Sequence, residues 1–223
     1  GLSVKIYGAD PATLTALSEK VVELVNGDVP VVTIDHVFNN RMAVLSDNVA
    51  GLKALVKQAW ACGHRRIAFI HGEKTSVTEN RIAGFYQACE ELGLEIPEEY
   101  VRDGVYHDVE RCAEETRALL ALPQRPTAIL FPDDFSAIGS IQTIREEGLL
   151  IPRDISVAGY DGNLISQIMS PQLTTYRQDT EALGRAAAEL LIEQIESPRT
   201  ALPEQKLVSG SLLKGQSVDV PNP

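Results

Sequence analysis

Acidic residues follow two apolar segments of the chain. Residues 127–131 predict a buried strand, and Asp133 and Asp134 come directly after it, before a helical pattern begins. Residues 155–158 predict a second strand, and Asp161 stands just beyond its end. Ligands of an open parallel sheet bind in the crevice beyond the carboxyl ends of its strands. These carboxylates are therefore candidates to accept hydrogen bonds from the hydroxyl groups of a small polar ligand.

Two further side chains could complete such a site. Arg81 begins a predicted helix, and its guanidinium offers a planar fork of donors that can bridge two oxygen atoms. Tyr106 precedes another predicted helix, and its ring could cover an apolar ligand face. Taken singly, each type has a commoner role: a strand-end acid caps a helix, an arginine joins a surface ion pair, and a tyrosine covers local core. Their shared placement after strands or near helix starts favours a binding site.

The sequence lacks the motifs of common catalytic and nucleotide-binding sites. Neither Gly-x-Gly-x-x-Gly nor Gly-x-x-x-x-Gly-Lys-Ser/Thr occurs, and there is no Gly-x-Ser-x-Gly elbow. His71 or His107 near Asp133 could act as acid or base, but no nucleophile has a placed partner. The histidines and cysteines are not at metal-ligand spacing. We therefore expect no metal site, no cofactor and no enzymatic activity.

Composition bounds the class of protein. Of 223 residues, 44% are hydrophobic and 23% charged, which is typical of a globular protein with a buried core. The net charge of −11 favours solubility and disfavours direct contact with nucleic acid. No apolar run could span a bilayer, no signal segment is seen, and three widely spaced cysteines suit a reducing compartment. We expect a cytoplasmic protein without membrane contact.

Predicted strands and helices alternate along the chain. The alternation indicates parallel βαβ units with helices on both faces of the sheet. A strand at residues 2–7 is weakened by Ser3 and Lys5. The other strands are predicted at 29–34, 44–46, 66–70, 100–102, 127–131, 155–158, 173–178 and 207–213, and the helices at 12–25, 49–62, 81–92, 108–122, 136–147 and 180–195.

Short motifs occur in a specific order between residue 29 and about residue 213. They include GHRRIAFI at 63–70, RIAGF at 81–85, DISVAGYD at 154–161 and PQLTT at 171–175. In this order and spacing the chain resembles the effector-binding core of the lactose-repressor (LacI/GalR) family of bacterial transcription regulators. The resemblance implies an α/β fold of two Rossmann-like subdomains with parallel sheets, as in periplasmic binding proteins of type I.

The resemblance also implies subdomain boundaries. Residues 1–62 with 178–207 would form the amino-terminal effector subdomain, and residues 63–177 with 208–220 the carboxy-terminal one. The amino-terminal subdomain would be incomplete, because the first residues align near the third strand of the family, or near its second strand with an internal deletion. Family regulators carry a helix-turn-helix headpiece and a hinge helix, and this sequence contains neither.

Residue roles follow by position in the resemblance. Arg81 would clamp ligand hydroxyls or a carboxylate, Tyr106 would stack on the ligand, and Asp161 would bind the effector. Gln178 would be a polar residue at the second crossover between subdomains. Asp133 stands where several sugar-binding members carry asparagine, so a donor is replaced by a charged acceptor.

The remaining residues have weaker assignments. We expect Asp133 to be the better ligand contact and Asp134 to be the structural partner of the helix start. Thr75 and Val77 precede Arg81 and could line the pocket. Asp47 is as well explained by capping the next helix as by touching ligand.

The resemblance predicts a sensor of a small molecule. A polar effector, a sugar by family analogy, would bind between the subdomains and shift the balance of open and closed arrangements. In a homodimer that shift would alter operator affinity through a headpiece outside this sequence. The alternative is a periplasmic sugar-binding protein of a transporter, which shares the fold.

Overall fold

The computed structural model describes residue 16 and residues 30–37, 41–197 and 204–222. The predicted strand at 2–7 lies outside these residues, as does the predicted helix at 12–25 apart from Ala16. Contacts divide the chain into two compact units, residues 1–46 with 180–208 and residues 47–179 with 209–223. As predicted, the described chain is α/β with mainly parallel strands.

Strands and helices alternate through both units. In chain order they are β1 (Val32–Ile34), β2 (Met42–Ser46), α1 (Asn48–Ala61), β3 (Ile67–His71), α2 (Ser76–Glu91), β4 (Val101–Asp103), α3 (Val109–Leu120), β5 (Ala128–Leu130), α4 (Asp134–Glu146), β6 (Ser156–Asp161), α5 (Leu164–Ile168), β7 (Thr174–Arg177), α6 (Thr180–Glu196), β8 (Gln205–Val208) and β9 (Ser211–Leu213).

The smaller unit contains a three-stranded parallel sheet in the order β1-β2-β8. Helix α6 covers it with an apolar stripe at helical spacing, formed by Leu183, Ala186 and Leu190. This stripe packs against Met42 and Val44 of the central strand. The burial of one face of α6 explains why a period of 3.6 residues was visible in its sequence.

The larger unit contains a six-stranded sheet in the order β4-β3-β5-β6-β7-β9, parallel except for β9. Alternate residues of β3 enter opposite core layers. Ile67 and Phe69 join the layer that contains Leu52 and Phe85 of helices α1 and α2, whereas Ala68 belongs to the layer that contains residues of α3 and α4. Burial on both faces accounts for the continuous apolar runs that predicted these strands.

The first subdomain boundary differs from the sequence-based expectation. Residues 47–62 were assigned to the amino-terminal subdomain, but they group with the larger unit. The physical reason is the packing of α1, whose Leu52, Leu55 and Val56 are buried in a core layer of the six-stranded sheet. The chain therefore passes between units at residues 46–47, 179–180 and 208–209.

Two elements also differ in extent. Helix α2 begins at Ser76, five residues before the predicted start, because the Thr75 hydroxyl accepts the amide hydrogen of Thr78 and caps the helix. The predicted final strand at 207–213 is divided between the two sheets as β8 and β9. Gly210 lies between them, where a Cβ would collide with the carbonyl of Arg177.

Candidate functional site

The candidate site lies at the carboxyl edge of the six-stranded sheet. From β3 the chain first adds β4 on one side and then β5 on the other, so β3 and β5 flank a topological switch point. Such switch points open a crevice at the carboxyl ends of the strands, where ligands of this fold class bind. The predicted residues Arg81, Tyr106 and Asp133 come from segments that follow strands of this sheet, and Asp161 is the last residue of β6.

Arg81 is the centre of the site. It lies on α2 and is only 4% exposed. Its Nε donates to Asn48 Oδ1 at 2.8 Å and its Nη1 to the carbonyl of Pro132 at 2.6 Å. Its Nη2 lies 3.9 Å from Asp161 Oδ1, which is an ion-pair distance. A buried guanidinium needs such partners, and these fix its plane.

Two tyrosine rings flank this guanidinium. Its carbon lies 3.6 Å from the ring centroid of Tyr160 and 5.4 Å from that of Tyr106. Both distances allow cation–π attraction. The arginine is therefore held by stacking as well as by hydrogen bonds, and its orientation is fixed before any ligand arrives.

Asp161 ends β6 in an unusual backbone conformation, with φ of 101°. Its side chain is 24% exposed, and Gln178 Nε2 donates to its Oδ1 at 2.6 Å. Burial raises the pKa of Asp161, while Arg81 and the Gln178 hydrogen bond oppose this rise. Positive φ in a residue other than glycine costs free energy and marks functional positions in many proteins.

Tyr106 is anchored at both ends. Its hydroxyl lies 2.9 Å from Thr78 Oγ1, and its backbone amide donates to Glu73 Oε2 at 2.8 Å. Its ring covers Gly72, where any Cβ would collide with it. Burial raises the pKa of the Tyr106 hydroxyl, with Arg81 opposing the shift. The hydroxyl is therefore neutral near pH 7 and cannot act as an anion in the site.

Asp133 has a structural role that the sequence analysis assigned to its neighbour. Its side chain caps α4 by accepting the amide and hydroxyl hydrogens of Ser136, both at 2.8 Å. It also accepts the backbone amide of His107 at 2.9 Å and is 1% exposed. The expectation that Asp134 supports the helix start is wrong. Whether Asp133 also touches a ligand stays a prediction.

Asp134 is fully buried and points to other elements. Its Oδ1 accepts from the Thr175 hydroxyl at 2.6 Å, and its Oδ2 accepts from the amide of Asn163 at 2.7 Å. Burial raises the pKa of Asp134 to about 6, although both hydrogen bonds lower it. The carboxylate thus connects α4 to β7 and to the turn after β6.

The three weaker candidates lie at helix starts. The Asp47 carboxylate accepts the amide hydrogen of Ala50 at 2.9 Å and caps α1, as one of its two interpretations proposed. Thr75 caps α2. Val77 is half-buried in the first turn of α2. Ligand contact by any of them stays a prediction.

Three residues of this region were not predicted, and a fourth, His107, was considered only as a possible acid or base near Asp133. Asn48 and Tyr160 contact the Arg81 side chain. His107 Nδ1 lies 3.5 Å from Asp133 Oδ1, and the His107 ring packs edge-on against Phe135, which is 47% exposed. Tyr160 lies within a buried strand, so its sequence context indicates core and gives no sign of the stacked arginine. The only indication for Asn48 in the sequence was its position directly after Asp47, a predicted helix cap.

No group of three or more His, Cys, Asp or Glu side chains in the described ranges could hold a metal ion. No helix in the same part of the chain is long and apolar enough to cross a membrane.

The parallel α/β fold, with polar residues at the carboxyl ends of its strands, is typical of ligand-binding proteins. A family model for the periplasmic binding protein-like domain matches residues 56–218. A LacI-family regulatory protein from Chloroflexus aggregans superposes with a TM-score of 0.80 at 30% identity, over 89% of this chain and 72% of that one. The chain belongs to the periplasmic binding protein-like domain family, and within it to the LacI family, whose effector-binding core it matches.

Other similar proteins have more specific names. The ribose operon repressor of Haemophilus influenzae is 33% identical over 172 residues, which are 76% of this chain and 52% of the repressor. The chain spans about half the length of the curated relatives it matches. A solved complex of the transcriptional regulator CelR with cellobiose has a TM-score of 0.73 and 28% identity, over 79% of this chain and 54% of CelR.

Proposed function

We propose that this chain is the effector-sensing domain of a transcriptional regulator and that Arg81 and Asp161 bind a neutral sugar. The observation that carries the proposal is the buried Arg81, held 3.9 Å from a partly exposed Asp161 at the switch point of the sheet. A carboxylate accepts hydrogen bonds from sugar hydroxyls, and a guanidinium donates to them. Tyr106 would cover an apolar sugar face, and Gln178 would hold Asp161 in place.

Charge favours a neutral ligand over a phosphorylated one. Among the site residues described above, Arg81 is the one buried cation, whereas Asp133, Asp134 and Asp161 are three carboxyl groups, and Asp161 lies 3.9 Å from Arg81. An added phosphate would meet net negative charge at short range, which is costly in a partly desolvated site. The cellobiose complex of CelR and the name of the ribose operon repressor support a sugar as well.

The named relatives favour a regulator over the transport alternative. Those described above are transcriptional repressors or regulators rather than transport proteins or enzymes. We accordingly propose that the domain works in the cytoplasm as a homodimer and controls operator binding through a separate headpiece. An exposed apolar face on α5, formed by Leu164 and Ile168, supports the dimer.

Calorimetry tests the binding proposal. Cellobiose, D-ribose, D-glucose, cytidine and glucose 6-phosphate are titrated into the wild-type protein and into Arg81→Ala and Asp161→Ala. We expect a neutral sugar to bind and each variant to weaken it at least tenfold, because each removes a charged hydrogen-bonding partner. Arg117→Ala, at an arginine whose side chain is 51% exposed, is the matched control. Unchanged affinity in both site variants would refute the assignment.

A further inference from the structure

The turn that follows β6 is held in a conformation that its sequence does not favour. Asp161 has φ of 101° and Gly162 has φ of 72°. Glycine adopts such values readily, but aspartate does so at a cost in free energy. A conformation of this kind persists only where surrounding contacts stabilise it, so the two amides that follow Asp161 should have defined acceptors.

Asp134 is itself the acceptor for one of these amides. For the other amide, it binds the side chain that serves as the acceptor. Its Oδ2 accepts the amide hydrogen of Asn163 at 2.7 Å. Its Oδ1 accepts the hydroxyl hydrogen of Thr175 at 2.6 Å, and Thr175 Oγ1 in turn accepts the amide hydrogen of Gly162 at 3.2 Å. Both backbone amides that follow Asp161 therefore depend on one carboxylate.

Helix capping does not account for the buried charge of Asp134. The cap of α4 is Asp133, and Asp134 has no exposed surface. Burying an ionised carboxylate is unfavourable unless its oxygens accept strong hydrogen bonds. Two that it accepts come from β7 and from the turn at 161–163, and Gly159 has no Cβ to collide with its Oδ1.

We propose that Asp134 is a positioning residue that fixes the turn at 161–163 and so sets the place of the Asp161 carboxylate. It touches no ligand itself, because it is fully buried. The consequence for ligand affinity rests on the proposed function, whereas the control of the turn does not.

Protonation offers a direct way to observe this role. The pKa of Asp134 lies at about 6, raised mainly by burial. The charged group that acts on the Asp134 carboxyl is Asp161 at the end of β6, and Asp133 precedes it in the chain. Asp161 in turn lies in the field of Arg81 on α2, Asp133 and His107 before α3, and the turn at Gly162 lies against Arg177 of β7. Neutral Asp134 would still accept from Asn163, but without the strength that its charge gives the hydrogen bond.

The test follows backbone and side-chain amide resonances by 15N NMR between pH 7.5 and 5 with no ligand present. In the wild type we expect the Asn163 amide to titrate with a midpoint of about 6. The side-chain amide of Gln178, which donates to Asp161 Oδ1 at 2.6 Å, should shift with the same midpoint. In Asp134→Asn the Asn163 titration should disappear. If the Gln178 side-chain resonance does not shift over the pH range in which Asp134 titrates, Asp134 does not position Asp161.

Thr175→Val is the second variant and keeps the test decisive if Asp134→Asn does not fold. It removes one of the three donors (Thr175, Asn163 and Ser166) that lower the pKa of Asp134, so the Asn163 midpoint should move upward. An unchanged midpoint would also overturn the proposal. Asp108→Asn is the control for the change from Asp to Asn, because the Asp108 side chain is exposed and accepts the amide hydrogen of Arg111 at the start of α3, so both resonances should be unaffected. Since no ligand is used, failure here is distinct from failure of the sugar proposal.

Discussion

At the scale of single residues, the candidate site is a network built to hold one guanidinium. Arg81 makes two hydrogen bonds with different atoms, one to a side chain and one to a backbone carbonyl, and lies between two tyrosine rings. Only a planar cation with donors in several directions satisfies this arrangement. The buried charge is therefore matched by geometry rather than by a single close carboxylate.

Replacement of Arg81 by lysine should reveal this requirement. Lysine has a single ammonium group, which cannot donate to both Asn48 Oδ1 and the Pro132 carbonyl as the Nε and Nη1 atoms of Arg81 do. At least one of these two buried acceptors therefore loses its donor. We expect Arg81→Lys to lower the free energy of unfolding by about 1–3 kcal/mol, measured by urea denaturation. Arg117→Lys, at an exposed 3.8 Å ion pair, should change it by less than about 0.5 kcal/mol. Equal effects would contradict the argument.

The sequence predicted part of this site because part of it follows from strand ends. Arg81 and Asp161 stand after buried strands within recognisable motifs, and the structure brings them together. The sequence pointed to Asp134 rather than Asp133 as the residue that supports the helix start, and this was wrong, because adjacent acids at a helix start have the same local signal. Which one caps the helix depends on the distant partners Asn163 and Thr175, and these are set by the order of the strands.

At the scale of elements, the position of Arg81 depends on how α1 crosses α2. Helix α1 supplies Asn48, and α2 supplies Arg81, so the two helices must approach closely. Gly84 on α2 permits this, because a Cβ there would fall on the carbonyl oxygen of Val49. Periodicity predicted both helices, yet it could not predict their crossing point, which depends on contacts between residues far apart in sequence.

A methyl group at this crossing should separate the helices. Because the atoms opposite Gly84 belong to the backbone, no rotamer change can make room for Gly84→Ala. We expect it to lower the free energy of unfolding by about 1–3 kcal/mol in urea denaturation. Gly184→Ala on α6 is the control, since a Cβ there meets nothing within 4 Å. That variant should instead stabilise by about 0.5–1 kcal/mol through helix propensity. A neutral result for Gly84→Ala would show that the crossing is adjustable.

At the scale of the whole molecule, the larger unit is completed by residues that are distant in sequence. After β8 the chain returns to the larger unit. There the Ser217 hydroxyl donates to the carbonyl of Val157 and accepts the amide hydrogen of Thr174. His64 is fully buried, and its Nε2 lies 2.9 Å from the carbonyl oxygen of Asp219. The alternation of predicted strands and helices gave one strand at 207–213. It could not show that the two halves of this segment belong to different sheets.

Assembly is the remaining property at this scale, and α5 offers a surface for it. Leu164 is 77% exposed and Ile168 69% exposed, and their spacing of four residues places them on one face of the helix. Two copies that bury this face would remove large apolar side chains from water. We expect the wild type to sediment as a dimer and the double variant Leu164→Glu, Ile168→Glu to dissociate at least a hundredfold more readily. Ile192→Glu, at an isoleucine 53% exposed on α6, should leave the dimer intact. A double variant that dimerises as tightly as the wild type would show that α5 does not form the interface.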